Sequence, residues 1–215
     1  MSSLAIRVED ATPLHPAASP HLSFRLGFED PGPGNVESIL LQCLIRLEPQ
    51  QRTYDAASRG RLFDLFGFPE QWGRTLRSLY WTQAQVVVPG FRQRTTLDLA
   101  IPCPLDVHAA ATKYFEGLKD GEIPMTFQFS GTVFRSADGG PLQVRPIPRD
   151  REATFRLPIR VWKDLMDRFR PRTKWLELDP GVLNRLSEYK RRSGVEDWNL
   201  ALGRLLDGAE SRSSP

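Results

Sequence analysis

Few residues in this chain could support nucleophilic or metal chemistry, since its 215 residues include two cysteines and three histidines. Cys103 and His108 lie in the segment CPLDVH, and they could act as nucleophile and base only within hydrogen-bond distance of each other. His15 and His21 could share a metal ion, but no cysteine or carboxylate lies at ligand spacing with them. The sequence therefore predicts no catalytic residue, no cofactor site and no metal site.

Three further motifs resemble catalytic signatures without meeting their requirements. Ser130 lacks the glycine two positions before it that a nucleophile elbow needs, because Gln128 stands there. The pair Gly139-Gly140 is followed by no lysine of a phosphate-binding loop, and Asp138-Gly139-Gly140 is typical of a hairpin turn. The acidic residues of Asp150-Arg151-Glu152 adjoin arginines, which favours surface ion pairs over acid–base catalysis.

The most unusual local feature is positive charge between residues 145 and 174. Ten basic and four acidic residues give this segment a local charge of +6. Arginine and tryptophan are frequent anchors of interfaces, so part of the segment is a candidate partner-binding site. That site comprises Arg168, Arg170, Arg172, Lys174 and Trp175. A solvated helix end, whose cations suit the helix dipole, and an arginine-rich nucleic-acid surface remain alternatives.

Composition predicts an ordinary globular protein, with 40% hydrophobic and 26% charged residues. A net charge of +3 gives little of the electrostatic drive that a committed nucleic-acid binder uses. The N-terminal segment lacks the basic and apolar regions of a signal peptide, and no apolar run is long enough to span a membrane. With Cys43 expected to be a buried free thiol, these features predict a cytoplasmic protein.

Hydrophobic periodicity predicts mainly strands from residue 22 to residue 157. Alternating apolar residues mark strands at 22–28 and 39–47, and the turn-rich DPGPGN between them predicts an antiparallel pair. Later strands are expected at 84–88, 97–101, 125–133, 142–147 and 155–157. In the strand at 125–133, the predicted core face comprises Met125, Phe127, Phe129, Gly131 and Val133.

Helical patterns interrupt and then follow these strands. A helical insertion is predicted near 58–80, with Gly67 ending one helix and Pro69 starting the next. A short helix is expected within 107–118, and helices dominate from 159 to 207. In the last two helices the inward residues are expected to include Val182, Leu183, Val195, Trp198, Leu205 and Leu206.

These elements predict an α+β fold, an antiparallel β-sheet or sandwich with a helical insertion and C-terminal helices. The expected organisation is an N-terminal arm and linker over 1–20, a single α+β domain over 21–208 and a flexible tail over 209–215.

Three segments together resemble an uncharacterised domain-of-unknown-function family of high-GC bacteria. They are RLFDLFGFPEQWGRTLRSLYWT at 61–82, ATKYFEGLKDGEIPMTFQFSGTVF at 111–134 and PRDREATFRLPIRVW at 148–162. The resemblance implies an association with operons for nickel–iron hydrogenases, and so a role in hydrogenase assembly or maturation. It carries no catalytic residues over to this chain.

The leading hypothesis is therefore a non-catalytic accessory protein that binds a partner protein, such as a hydrogenase subunit or precursor. A sheet edge, the helical insertion and the basic segment are the expected binding surfaces. An enzyme whose active site is assembled from distant residues is one alternative, and a nucleic-acid-binding module is another. A pocket with converging titratable groups would favour the enzyme, and a basic groove with exposed aromatics would favour the nucleic-acid binder.

Overall fold

The computed structural model describes residues 4–32, 34–104, 109–136, 141–169, 176 and 178–213. The chain divides into two compact units, Met1–Pro171 and Arg172–Pro215. Strands and helices of the first unit build an antiparallel sandwich, and the second unit contributes C-terminal helices, so the predicted α+β class is confirmed. Among the described residues, no helix is long and apolar enough to cross a membrane.

The described strands and helices lie close to the periodic segments of the sequence. The strands are β1 (Ala5–Pro13), β2 (His21–Glu29), β3 (Asn35–Leu47), β4 (Leu79–Phe91), β5 (Arg94–Pro102), β6 (Glu122–Ser136), β7 (Gln143–Pro146) and β8 (Glu152–Pro158). The helices are α1 (Ala56–Arg61), α2 (Phe63–Phe66), α3 (Trp72–Thr75), α4 (Ala109–Gly117), α5 (Ile159–Phe169), α6 (Pro180–Arg192) and α7 (Trp198–Ser213). Residues 5–13, within the segment expected to be an arm, form the first strand.

Two antiparallel sheets make up the first unit. Sheet A has the order β1-β2-β5, and sheet B has the order β4-β3-β6-β7, with β8 also paired to β6. The strands β2 and β3 therefore lie in different sheets, and the predicted pairing of β2 with β3 is wrong. Alternation shows which side of a strand is buried, but it does not show which strand lies beside it.

The sandwich core forms where alternating apolar residues of the two sheets meet. The fully buried ring of Phe24 in β2 lies 5.1 Å from that of Phe127 in β6 and 6.0 Å from that of Trp81 in β4. Both contacts are edge-to-face, an arrangement that aromatic rings prefer. The predicted core face of β6 is confirmed, because Met125, Phe127, Phe129 and Val133 are each at most 1% exposed.

The strand β6 changes partner along its length, and Gly131 lies where it does so. Residues 122–128 pair with β8, whereas residues 132–135 pair with β7. Gly131 has a φ of +135°, and a Cβ atom there would lie 1.9 Å from the carbonyl oxygen of Leu40. No side chain fits that approach, so glycine is required where the two edge strands separate.

The helical insertion is fixed to the sandwich by buried aromatic residues. Asp55 caps α1 by accepting a hydrogen bond from the backbone N–H of Ser58, and Gly67 with a φ of +71° ends α2 as the sequence predicted. The Trp72 indole N–H donates to the carbonyl of Gly67 at 3.0 Å. The ring of Phe66 packs edge-to-face on Tyr114 of α4. In turn, α4 and α5 join the same core through the stacked rings of Phe115 and Trp162.

The second unit buries little of its apolar surface. Val195 and Ala201 are buried, but Val182, Leu183 and Leu206 are 42%, 43% and 63% exposed. The prediction that Val182, Leu183 and Leu206 face inward is therefore wrong, whereas the same prediction for Val195 is confirmed. Trp198 is also exposed, and the Lys190 ammonium lies 4.8 Å from the centre of its ring. Helical periodicity identifies an apolar stripe, but the stripe is buried only where another element packs against it.

Candidate functional site

The outward-facing side of sheet B is the candidate binding surface. β3 lies between β4 and β6, and alternate residues of these strands and of β7 point away from the sandwich core. Fourteen such positions form four neighbouring rows across the strands, which we call the sheet B face. They are Gln83, Leu44 and Gln128; Gln85, Gln42 and Ser130; Val87, Leu40, Thr132 and Pro146; and Pro89, Ser38, Phe134 and Val144.

One half of the sheet B face is apolar and well exposed. Leu40 lies opposite Val87 on one side and Thr132 on the other, and Val144 lies opposite Phe134. The exposed fractions are 49% for Leu40, 57% for Val87 and 58% for Val144. Contiguous exposed apolar side chains of this kind mark binding surfaces more often than isolated ones do.

The other half of the face is polar but carries no charge. Four glutamines provide amides that both donate and accept hydrogen bonds, and the Ser130 hydroxyl donates to the side-chain oxygen of Gln42 at 3.4 Å. At the chain's 26% content of charged residues, about four of the fourteen positions would carry a charge. None of them does. The outer face of an antiparallel sheet is commonly solvated and polar, so this composition favours contact with another molecule.

Charged residues appear where the face ends. Arg46 follows Leu44 along the outward side of β3, and its guanidinium lies 3.4 Å from the carboxylate of Glu152 in β8, which lies directly opposite Gln128. Arg149 lines the groove beside Ser130. The pattern resembles an interface with an uncharged centre and a charged rim.

Two grooves lie on the face, and Gln42 lines both of them. The larger, of about 460 Å³, runs between the side chains of Leu40, Val87 and Thr132 and passes over Gly131. The smaller, of about 280 Å³, lies between Leu44 and Gln128.

The side chains of the sheet B face offer no acid–base chemistry. None of the fourteen residues carries a carboxyl, imidazole, thiol, phenol or amino group. Ser130 is therefore the best nucleophile candidate among them, and its described partner is the Gln42 amide, which cannot accept its proton as a general base.

A second cleft, of about 540 Å³, does contain titratable side chains. Glu9 of β1 and Arg156 of β8 line it, and both are exposed. Arginine does not deprotonate in proteins, so the cleft offers a carboxylate without a second group suited to proton transfer. This cleft therefore gives weaker support to an enzyme than the sheet B face gives to a binding protein.

The cysteines considered in the sequence form no disulfide, and of the histidines His15 lies between β1 and β2 and His21 begins β2. Cys43 and Cys103 are both buried free thiols, and burial raises the pKa of each to about 12. The Nδ1 atom of His21 lies 2.9 Å from the carbonyl oxygen of Ser19, within hydrogen-bond distance. His108 lies outside the described residues. Among the residues described, no cluster of three or more potential metal ligands occurs.

Most of the predicted partner-binding site lies outside the described residues. Arg170, Arg172, Lys174 and Trp175 belong to that part of the chain, whereas Arg168 is exposed in the last turn of α5. The sheet B face was not predicted from the sequence, because the inward residues of β3 give the more regular apolar pattern. The outward series Ser38, Leu40, Gln42 and Leu44 of the same strand was the available signal.

The helical insertion also exposes an aromatic pair. Phe63 and Phe68 are 44% and 60% exposed, and their ring centroids lie 4.9 Å apart. Asp64 and Glu70 lie next to this pair in the sequence, and the pair is much smaller than the sheet B face. It is a secondary candidate for protein contact.

Comparisons with known proteins give a family and no function. A family model described as "Family of unknown function (DUF6084)" matches residues 1–214. No curated protein matches the chain.

Solved structures give weak matches. A β-glucosidase from Kluyveromyces marxianus matches with a TM-score of 0.26 and 12% identity, over 72% of this chain and 15% of the other. A protein described as late embryogenesis abundant (LEA) matches with a TM-score of 0.30 and 13% identity, over 72% of this chain and 71% of the other. The chain thus spans a small part of the β-glucosidase, and likenesses at these scores carry no argument.

Proposed function

We propose a function for this chain, which belongs to the family of unknown function DUF6084. It is a non-catalytic binding protein that docks to another polypeptide. The docking surface is the sheet B face. The observation that carries the proposal is the uncharged composition of fourteen neighbouring outward positions in a chain with 26% charged residues. An apolar half beside an amide-rich half suits a polypeptide, which offers both side chains and hydrogen-bonding backbone.

Energetics support a contact at the apolar half of the face. Burying an apolar side chain stabilises by about 25 cal/mol for each Å² removed from water. Leu40, Val87 and Val144 keep about half of their surface accessible, so a partner gains from covering them. The amides of the other half need hydrogen-bond partners when they are covered, which would make the contact selective.

The accessory role in nickel–iron hydrogenase assembly is the finer part of the proposal. It is supported by the resemblance of three sequence segments. A cytoplasmic location belongs to the same proposal, and the two buried free thiols are compatible with it. The basic site of Arg168, Arg170, Arg172, Lys174 and Trp175 remains the predicted contact for such a partner.

A capture experiment with matched variants tests the docking surface. Leu40→Lys/Val87→Lys places two charges on the sheet B face, whereas Thr96→Lys places one at an exposed position of sheet A. Each chain is immobilised, and proteins retained from a host that expresses nickel–iron hydrogenase are quantified by mass spectrometry. We expect polypeptides retained by the wild type and by Thr96→Lys to be lost from the double variant.

Two outcomes would contradict the proposal. If the double variant retains the same polypeptides as the wild type, docking does not use the sheet B face. If nothing is retained, including a second copy of the chain, the protein is not a docking module under these conditions. Should the double variant unfold, Gln42→Lys provides the same test, because Gln42 is exposed and already polar. Recovery of hydrogenase subunits tests the accessory role separately.

A further inference from the structure

We infer that the occupant of the sheet B face is a second copy of this chain, packed face to face about a two-fold axis. The inference rests on the proposed function and names the polypeptide that the face takes. A hydrogenase-related partner would then bind to the dimer through another surface.

The uncharged composition of the face favours an identical partner. In a two-fold interface every residue near the axis meets its own copy, so a charged residue there would face a like charge. The chain carries a net charge of +3, so two copies repel each other weakly, and least where few charged side chains lie in the contact.

The amides of the polar half are self-complementary. A carboxylate only accepts hydrogen bonds and an ammonium only donates them, but a glutamine amide does both. Any glutamine amide of this half can therefore hydrogen-bond with a glutamine amide of the other copy. The glutamines are Gln42, Gln83, Gln85 and Gln128. A foreign protein that approached this half would need neutral donors and acceptors in matching positions.

The dimensions of the face lie at the lower size limit for a specific dimer. Three strands spaced by about 4.8 Å, with outward residues over about seven positions, cover roughly 14 by 23 Å, and β7 adds about half a strand's length. The projected area is about 390 Å² per copy, and the accessible area of a surface covered with side chains is larger. Two copies would bury on the order of 1,000 Å², the lower threshold for a biological interface.

Sheet packing supplies a geometry for this contact. Two twisted sheets pack face to face at about 10 Å, with strand directions about 30° apart. The layer between the two sheets would have an apolar part, at its centre or on one side according to where the two-fold axis lies. That part would consist of Leu40, Val87, Phe134 and Val144. The grooves beside Leu40 and Leu44 would receive side chains of the other copy.

Sedimentation equilibrium of the full chain tests the inference. We expect a concentration-dependent dimer for the wild type and for Thr96→Lys. Leu40→Lys/Val87→Lys should weaken association at least tenfold. In a second arm, Gln42→Lys and Gln42→Glu should each associate weakly alone, and an equimolar mixture should form a heterodimer because the face then carries opposite charges.

The outcomes separate the inference from the proposed function. A wild-type chain that stays monomeric up to millimolar concentration overturns the inference. The proposed function would still stand if the double variant loses a captured foreign polypeptide. The inference is also overturned if the dissociation constant of the dimer is unchanged in the double variant, because the two copies then use another surface. Far-UV circular dichroism of each variant shows whether the comparison is between folded chains.

Discussion

The ring of Phe24 in β2 meets the ring of Phe127 in β6 edge-to-face, with the centroids 5.1 Å apart. These residues lie in different sheets, so their contact defines how the two layers of the sandwich face each other. The opposite, outward side of β6 then carries Gln128, Ser130 and Thr132 to the sheet B face. The packing of the core thus determines which residues the binding surface displays.

The two sides of β6 should respond differently to truncation. Phe129 is fully buried, and Phe129→Ala should lower the free energy of unfolding by about 3–5 kcal/mol. Phe134 on the outward side is partly exposed, and Phe134→Ala should cost less than half as much. Urea denaturation of both variants measures the difference. Equal losses would show that the assigned direction of the strand's side chains is wrong.

Removing one partner of the ion pair between Asp30 and Arg135 should lower stability strongly, because the other charge stays buried. The Asp30 side chain is 1% exposed and the Arg135 side chain is 15% exposed. Asp30→Asn would leave the guanidinium partly buried without its countercharge and near Arg145, so we expect a loss of about 3 kcal/mol. Asp30→Asn/Arg135→Met should be more stable than Asp30→Asn alone. Chemical denaturation measures both variants, and an unchanged free energy of unfolding in Asp30→Asn would contradict the prediction.

The buried thiols should make stability fall at alkaline pH. Burial raises the pKa of Cys43 and Cys103 to about 12 from an ordinary 9.0. Between these values the unfolded chain loses thiol protons that the folded chain keeps, so rising pH favours unfolding. Each thiol should contribute up to about 1.4 kcal/mol per pH unit above pH 9.

Urea midpoints between pH 8 and pH 10 check this slope. Cys43→Ala/Cys103→Ala is the control, and its stability should vary less with pH over this range. Above pH 10 the buried Tyr54 and Tyr114, whose pKa values burial also raises, add to the slope. An unchanged slope in the control variant would contradict the assignment to the thiols.

Removing either hydroxyl of the Tyr54–Tyr114 pair should have unequal effects. The Tyr54 hydroxyl donates to the carbonyl of Pro49 at 2.8 Å, so the Tyr114 hydroxyl must donate to Tyr54 at 2.7 Å. Tyr54→Phe leaves the buried Tyr114 hydroxyl without its described partner and should cost about 1–3 kcal/mol. Tyr114→Phe leaves Tyr54 bonded to Pro49 and should cost about 1 kcal/mol or less. Thermal unfolding in parallel measures both, and the reverse order would contradict this proton arrangement.

Much of the fold could be predicted because local patterns report local geometry. The alternation at Phe127 and Phe129 predicted a core face, and Gly67 with Pro69 predicted the break between α2 and the next helical turn. Strand partners could not be predicted in the same way. β2 pairs with β5 some seventy positions away, and no periodicity within β2 encodes that choice.

The candidate surface was harder to predict than the core. The sheet B face becomes visible only when outward residues of four strands are placed side by side, and this requires the register of Leu40 with both Val87 and Thr132. Likewise, the helical pattern of α7 could not show that Trp198 would lie beneath Lys190 with much of its ring exposed.

The pairing of β3 with β6 has a consequence for how the chain folds. Leu47 pairs with Met125 and Asn35 pairs with Ser136, so the centre of sheet B joins residues roughly eighty to a hundred positions apart. Pairing between residues so far apart slows folding relative to helical bundles, whose contacts are mostly local. The entropy of closing a long loop grows only logarithmically, at about 0.6 kcal/mol per doubling of its length. The loop spanned by this pairing contains the helical insertion, which could therefore gain or lose surface residues with little effect on assembly of the sheet.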